Sequence, residues 1–182
     1  MKLKGILALV GALVLVSFAK PAAAGVHLEP YVGYGMGSWE MPGQSEDFTG
    51  MAYGGRLGYT MLGFGGGVEY MGGSFKDKAD VDPSTFKPKA LGVWVGYTFP
   101  VMIRAYGTYF FDGKTTVSDS SGDSELTGSG MKLGVGFTAL PFLSVNLEYF
   151  TNTWDEIDGT ALPGFEVTAK GYMLTLSIPL DI

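Results

Sequence analysis

Met51-Ala-Tyr-Gly-Gly-Arg-Leu-Gly-Tyr-Thr-Met61-Leu-Gly-Phe-Gly-Gly-Gly-Val-Glu-Tyr-Met71 is the stretch whose reading decides the fold. Between Met51 and Met61, Met51, Tyr53, Leu57, Tyr59 and Met61 share one face with Gly55, and Ala52, Gly54, Arg56, Gly58 and Thr60 share the other. A period of two is the signature of a β-strand. If Leu62-Gly63 is a two-residue turn, the chain folds back so that Arg56 stands opposite Glu69, Tyr70 beside Gly55 and Tyr59 beside Gly66. In the last two pairs an aromatic ring is expected to cover a glycine on the neighbouring strand.

The same alternation extends in both directions and predicts eight strands, at 28–39, 51–61, 64–75, 89–99, 101–111, 128–139, 143–154 and 166–180. Their lengths suit tilted membrane strands of about 9–11 residues. Connections alternate in length. Polar stretches at 40–50, 76–88, 112–127 and 155–165 read as long loops, whereas Leu62-Gly63, Pro100 and Leu140-Pro141-Phe142 read as tight turns. Four long connections at one end and three short ones at the other is the layout of an outer-membrane barrel with both termini on the periplasmic side. The predicted fold is therefore all-β, an eight-stranded antiparallel up-and-down transmembrane β-barrel.

Alternation would also fit a soluble barrel, so the distribution of bulk must decide. One face carries Leu57, Tyr59, Val68, Tyr70, Leu91, Val93, Val95, Tyr97, Ile103, Tyr109, Leu133, Val135, Phe137, Val145, Leu147, Tyr149, Leu174 and Leu176; the other is rich in glycine, including Gly33, Gly35, Gly54, Gly58, Gly65, Gly67, Gly92, Gly96, Gly134 and Gly136. An eight-stranded barrel is only wide enough to be filled by side chains. The glycine-rich face fits inside, and the bulky face is left to meet lipid. Aromatic residues then mark two interfacial girdles: Tyr59, Phe64, Tyr97, Phe99 and Phe137 at the turn end, and Tyr53, Tyr70, Tyr109, Phe111, Tyr149 and Tyr172 toward the loop end.

Ahead of the barrel stand Lys2 and Lys4, an apolar run from Gly5 to Phe18, and Pro21-Ala-Ala-Ala24. This is the order of a secretory signal peptide, and the apolar run is shorter than the ~20 residues of a membrane helix. Residues 1–24 are expected to be cleaved, leaving 25–182 as a single barrel domain. Loss of three lysines with the leader moves the net charge from −6 to −9. Such an acidic exported chain excludes nucleic acid as a natural partner. No cysteine is present, so neither disulfides nor thiolate metal sites contribute.

Charged residues on the inner face must be paired or hydrated. Arg56, Glu69, Arg104, Lys132 and Glu148 fall there, and a three-residue turn at 140–142 sets Lys132 diagonally near Glu148. They are expected to form an internal ion network, either as a polar filling or as a gate over a narrow path. His27, the sole histidine, is expected to be an exposed terminal residue at the periplasmic edge, which argues against a catalytic triad or a histidine metal site. Gly33-x-Gly35-x-Gly37 and Gly65-Gly66-Gly67 suggest a phosphate loop, but no helix pattern follows either, and strand packing accounts for them. Asp119-Ser-Ser-Gly-Asp123-Ser-Glu125 and the Asp155, Glu156, Asp158 cluster offer oxygen ligands for Ca²⁺ or Mg²⁺, without matching an EF-hand loop. They read as solvated polar loops. No metal site, cofactor or catalytic residue is assigned.

Tyr31-Val-Gly-Tyr-Gly-Met-Gly, Gly54-Gly-Arg-Leu-Gly-Tyr and Gly171-Tyr-Met-Leu-Thr-Leu give the chain its family likeness. It resembles the small outer-membrane barrels typified by OmpX and the OmpA transmembrane domain and, more loosely, the porin-like OmpW group. That resemblance implies residence in a bacterial outer membrane among lipid and lipopolysaccharide, and handling by the barrel-assembly machinery. The final strand looks like the signal that this machinery reads, although Ile182 stands where a terminal aromatic residue is usual. The expected function is a non-enzymatic structural or surface-interaction role for a monomeric, plugged barrel with extracellular loops. The alternatives are a narrow porin-like or hydrophobic-compound channel and a lipid A-modifying enzyme; for the last, neither a His-x-Ser arrangement nor a second histidine is present.

Overall fold

The computed structural model describes residues 24–41, 44–78, 84–119, 122–140, 142–161 and 167–182. The expected leader, apart from Ala24, lies outside them, as do 79–83 and 162–166 of the connections and Pro141 of the third turn. Eight long strands follow one another: β1 (Gly25–Met41), β2 (Gln44–Met61), β3 (Phe64–Asp77), β4 (Thr85–Thr98), β5 (Ile103–Asp119), β6 (Gly122–Leu140), β7 (Leu143–Ile157) and β8 (Val167–Ser177). Each pairs antiparallel with its neighbour in sequence, and β8 pairs with both β7 and β1, closing the sheet into an eight-stranded up-and-down barrel. Closure leaves no unpaired edge, the condition for a sheet to cross a membrane.

The decisive hairpin has the expected register. Leu62 and Gly63 adopt φ of 54° and 85°, the pair of left-handed residues that a tight hairpin turn with matching twist requires. Arg56 faces Glu69, Gly55 faces Tyr70 and Tyr59 faces Gly66. The rings do not cover those glycines, however. A Cβ on Gly55 would meet only the backbone of Glu29 and Pro30, and one on Gly66 only the Trp94 carbonyl and a Val95 methyl. On the outer wall of this hairpin it is Tyr53 that covers a glycine, its ring 2.9 Å from where a Cβ of Gly72 would stand. Side chains lean along a strand as well as across it, so facing positions alone do not bring a ring over its neighbour.

The strands run well beyond the predicted ends. Met41 still pairs with Gln44, and Asp119 with Gly122, so most of 40–50 and 112–127 is ladder rather than loop. These extensions are rich in Ser, Thr, Asp and Glu, and their pairing persists where the outward face is no longer continuously apolar. At the other end, residues 99–102 form the second turn, with the Phe99 N–H donating to the Ile103 carbonyl at 2.8 Å and Met102 at φ 61°. The third turn is shorter than predicted. Leu140 pairs with Leu143, and a register shift between Phe137 and Leu140 absorbs the extra residue.

One irregularity reorganises a wall. Gly92 faces Phe110 while Leu91 faces Asp112, which leaves Phe111 as the extra residue of a β-bulge in β5. Phe111 and Asp112 both point outward as a result, and the inward positions change from even numbers to odd, from Phe110 to Thr115.

The outer wall is apolar: Val32, Leu57, Val68, Val93, Val95, Leu133, Val135, Leu147 and Leu174 are all exposed. Buried aromatic and charged side chains fill the interior instead.

Candidate functional site: the interior of the barrel

The half of the interior nearer the turns is polar. Arg56, on β2, is its centre. Its Nη1 donates to Glu29 Oε2 at 3.0 Å, its Nε to Glu69 Oε2 at 3.2 Å, and its Nη2 to Glu148 Oε1 at 2.6 Å. One guanidinium thus serves carboxylates from β1, β3 and β7, using the planar fork that makes arginine suited to multiple acceptors. Its carbon lies 4.0 Å from the centroid of the Tyr106 ring and 5.0 Å from that of Tyr31, within cation–π range of both.

Two further cations complete the cluster. Lys132 Nζ bridges Glu69 and Glu148, the latter at 3.4 Å, with the Tyr31 hydroxyl also 3.4 Å away. Arg104 Nη2 is paired with Glu29 and donates to Asn146 Oδ1 at 2.8 Å and Ser177 Oγ at 3.2 Å. Hydroxyls occupy further acceptor sites, though not Glu148 Oε2: Tyr31 donates to Glu69 at 2.7 Å, Thr108 to Glu69 at 2.5 Å, and Tyr106 to Glu148 Oε1. Three cations therefore face three carboxylates. Glu29, Glu69, Lys132 and Glu148 are wholly buried, and Arg56 is 1% exposed. Charges so far from water are stable only when paired and hydrogen-bonded in this way.

All five residues expected inside lie in this cluster, which has a sixth member, Glu29. The sequence contains the signal: Glu29 shares odd parity with Tyr31, Gly33 and Gly35 on an inward face. Tyr106, Thr108 and Asn146 follow in the same way from Arg104 and Glu148.

His27 is not an exposed terminal residue. It is 5% exposed, with Nδ1 2.8 Å from Asp181 Oδ1 and Nε2 3.3 Å from Glu29 Oε2. Its parity turns it inward, and the seam continues past Ser177 so that Leu180–Asp181 pairs with His27 and Leu28 and covers it. The Trp94 ring lies against the imidazole at a centroid distance of 5.2 Å.

The half nearer the long hairpins is apolar. Trp39 packs on Phe86 at 4.2 Å, on Trp154 at 5.0 Å and on Phe48 at 5.5 Å between centroids, and Phe48 continues the contact to Phe75 and Phe150. Met71, Phe110, Leu126 and Met173 join this core. A cavity of about 40 Å³ lies beside Trp39, and another of about 30 Å³ lies at the opposite end beside His27 and Trp94.

The expected girdle residues stand on the outer wall: Tyr53, Tyr59, Phe64, Tyr70, Phe99, Tyr109, Phe111, Phe137, Tyr149 and Tyr172 are exposed. Tyr97 is half-buried because it is held between Phe64 and Phe99, at 4.6 and 4.9 Å. Gly33, Gly35 and Gly37 lie in β1, and Gly65, Gly66 and Gly67 in β3, in strands rather than at a helix start. Among the described residues no group of three or more His, Asp or Glu is placed to hold a metal ion. Asp158 accepts instead from the Glu125 backbone N–H at 2.8 Å, tying β6 to the end of β7.

By sequence the chain matches no family model and no curated protein. By structure it is similar to Neisserial surface protein A, with a TM-score of 0.57 and 17% identity over 86% of this chain and 98% of that one. It is also similar to Ail, the attachment invasion locus protein of Yersinia pestis, with a TM-score of 0.59 and 15% identity over 86% and 99%. The Ail structure in complex with the heparin analogue sucrose octasulfate gives a TM-score of 0.58 at 15% identity. At these identities the likeness is one of fold, and the fold is that of the small eight-stranded outer-membrane β-barrels.

Proposed function

We propose that this protein is an integral, non-enzymatic barrel of a bacterial outer membrane, closed to solutes, which acts through its exposed surface. In this reading the short turns and both termini of the barrel domain face the periplasm and the extended hairpins face outward. The observation that carries it is the interior. Across the turn-side half, Arg56 is bonded to carboxylates from three strands, and across the other half rings are packed on rings. Cavities of 30–40 Å³ at opposite ends accommodate a few water molecules at most. They do not amount to a path.

Planar-bilayer recording tests the closure. Wild-type protein and the Glu69→Gln variant are expected to give no steady conductance steps; open, long-lived steps from the wild type would overturn the plugged barrel. A second reading, passage of a small apolar compound, is favoured by the cavity lined by Trp39, Phe48 and Trp154. Quenching of tryptophan fluorescence by an added apolar solute, lost in Trp39→Ala, would select it.

A further inference from the structure

Six lysines are exposed among the described residues, and five of them share one patch. Lys76 and Lys78 lie on or just past β3, Lys87 and Lys89 on β4, and Lys114 on β5. They occur in a chain whose formal charge is −6. The register makes the concentration sharper: Lys89 faces Lys114 directly across the β4–β5 ladder. Like charges at facing positions destabilise a sheet, so this pair is costly unless something negative lies over it.

Among the described residues little of that charge lies beside Lys87 and Lys89; exposed Asp47, on β2, stands beside Lys78 instead. Glu125 holds Lys114 at 2.9 Å, and Asp112 is the one acidic side chain on the outward face of the described parts of β3, β4 and β5. Asp77, between Lys76 and Lys78 in sequence, is buried and accepts the Ser84 N–H at 3.0 Å. Lys76, Lys78, Lys87 and Lys89 have no ion-pair partner among the described residues.

Position suggests the occupant. The lysines sit on the outer wall rather than in the barrel mouth, on the same strands as exposed Tyr70, Leu91, Tyr109 and Phe111. Tyr70 faces Leu91, and Leu91 faces Asp112, which sets a common level. At about 3.3 Å per residue, Lys89 stands roughly 7 Å and Lys87 roughly 13 Å beyond that level. An ammonium group just past the margin of an apolar wall sits where lipid headgroups begin, and its flexible stem can reach along the wall.

We infer that the outer wall of β3–β5 is a binding site for a phosphorylated, multiply acylated glycolipid of the outer leaflet. Its phosphates pair with Lys87, Lys89 and Lys114, and its acyl chains lie against the apolar wall below. A free sulfated or phosphorylated sugar could match the charge but would leave that apolar continuation unused. The inference rests on the membrane reading above and adds the class of lipid and where it binds.

The experiment uses the folded full barrel in detergent micelles, with bisphosphorylated lipid A, its dephosphorylated form and sucrose octasulfate as probes. Retention is measured by native mass spectrometry. Wild-type protein is expected to retain bisphosphorylated lipid A at least tenfold better than the dephosphorylated form. The triple variant Lys87→Gln/Lys89→Gln/Lys114→Gln is expected to lose that preference, and Lys170→Gln, on β8, to keep it. Replacing the three lysines by arginine is expected to preserve it. Equal retention by the triple variant, indifference to the phosphates, or binding of the octasulfate in preference to lipid A would each overturn the site. Heat-modifiable migration and insertion into liposomes, measured alongside, separate the two readings. A barrel that inserts without lipid A preference refutes this site alone, whereas a chain that stays soluble without detergent refutes the membrane reading itself.

Discussion

The two halves of the interior fill the same cross-section by opposite means. Near the turns, charged side chains from six strands meet around Arg56, Lys132 and Arg104. Nearer the hairpins, Trp39, Phe48, Phe86 and Trp154 pack ring on ring. An apolar core tolerates small adjustments because its contacts are many and individually weak. An ion cluster sealed from water does not, since every group taken away leaves a charge without its partner. The polar half should therefore behave as one unit, and the aromatic half as a sum of separate contacts.

The largest expected effect follows from that contrast. Arg56→Ala should lower unfolding free energy by about 3–5 kcal/mol, as for a broken buried ion pair, measured by urea titration in micelles with tryptophan fluorescence as readout. A loss under about 1 kcal/mol would mean that water already screens the cluster. Leu126→Ala, in the aromatic half, should cost about 2–4 kcal/mol through the cavity it leaves. Its effect should add to that of Arg56→Ala, because Leu126 faces Thr115 and Ile157 and no member of the ion cluster. Within the polar half additivity should fail: a double-mutant cycle on Arg56 and Glu69 is expected to give a coupling of about 1–3 kcal/mol. Tyr53→Ala, which uncovers Gly72 on the outer wall, should cost about 1 kcal/mol. Smallest of all, Lys114→Ala should leave the urea midpoint nearly unchanged, because it removes both a solvent-exposed pair with Glu125 and the repulsion from Lys89, small effects of opposite sign.

Much of this contrast is legible in the residue pattern, though unevenly. The period of two and the turn at Leu62-Gly63 are enough to put Arg56 opposite Glu69, because register follows from turn length when both strands are regular. Glu29 is visible by the same parity. His27 is a different case: its burial depends on Asp181, 154 positions away, and no local pattern reports a partner at that distance. The upper hairpins are hidden for another reason. Pairing there proceeds between polar residues, and a polar ladder has the composition of a loop. Tyr109-Phe-Phe-Asp112 conceals the bulge because two adjacent aromatic residues suit either face, so the parity of everything from Gly113 to Asp119 is undetermined until the neighbouring strands are in place.

The seam between β1 and β8 has a kinetic consequence. Each of the other seven long-strand contacts joins neighbours in sequence and can form as a local hairpin, whereas this one must bring the first and last strands together, with residues as far apart as His27 and Asp181. Loop-closure entropy places such a contact late, and high average separation slows folding as a whole. Hairpins can thus form early while the ring stays open, and refolding into micelles should show β-structure gained well before the compact, heat-resistant species appears.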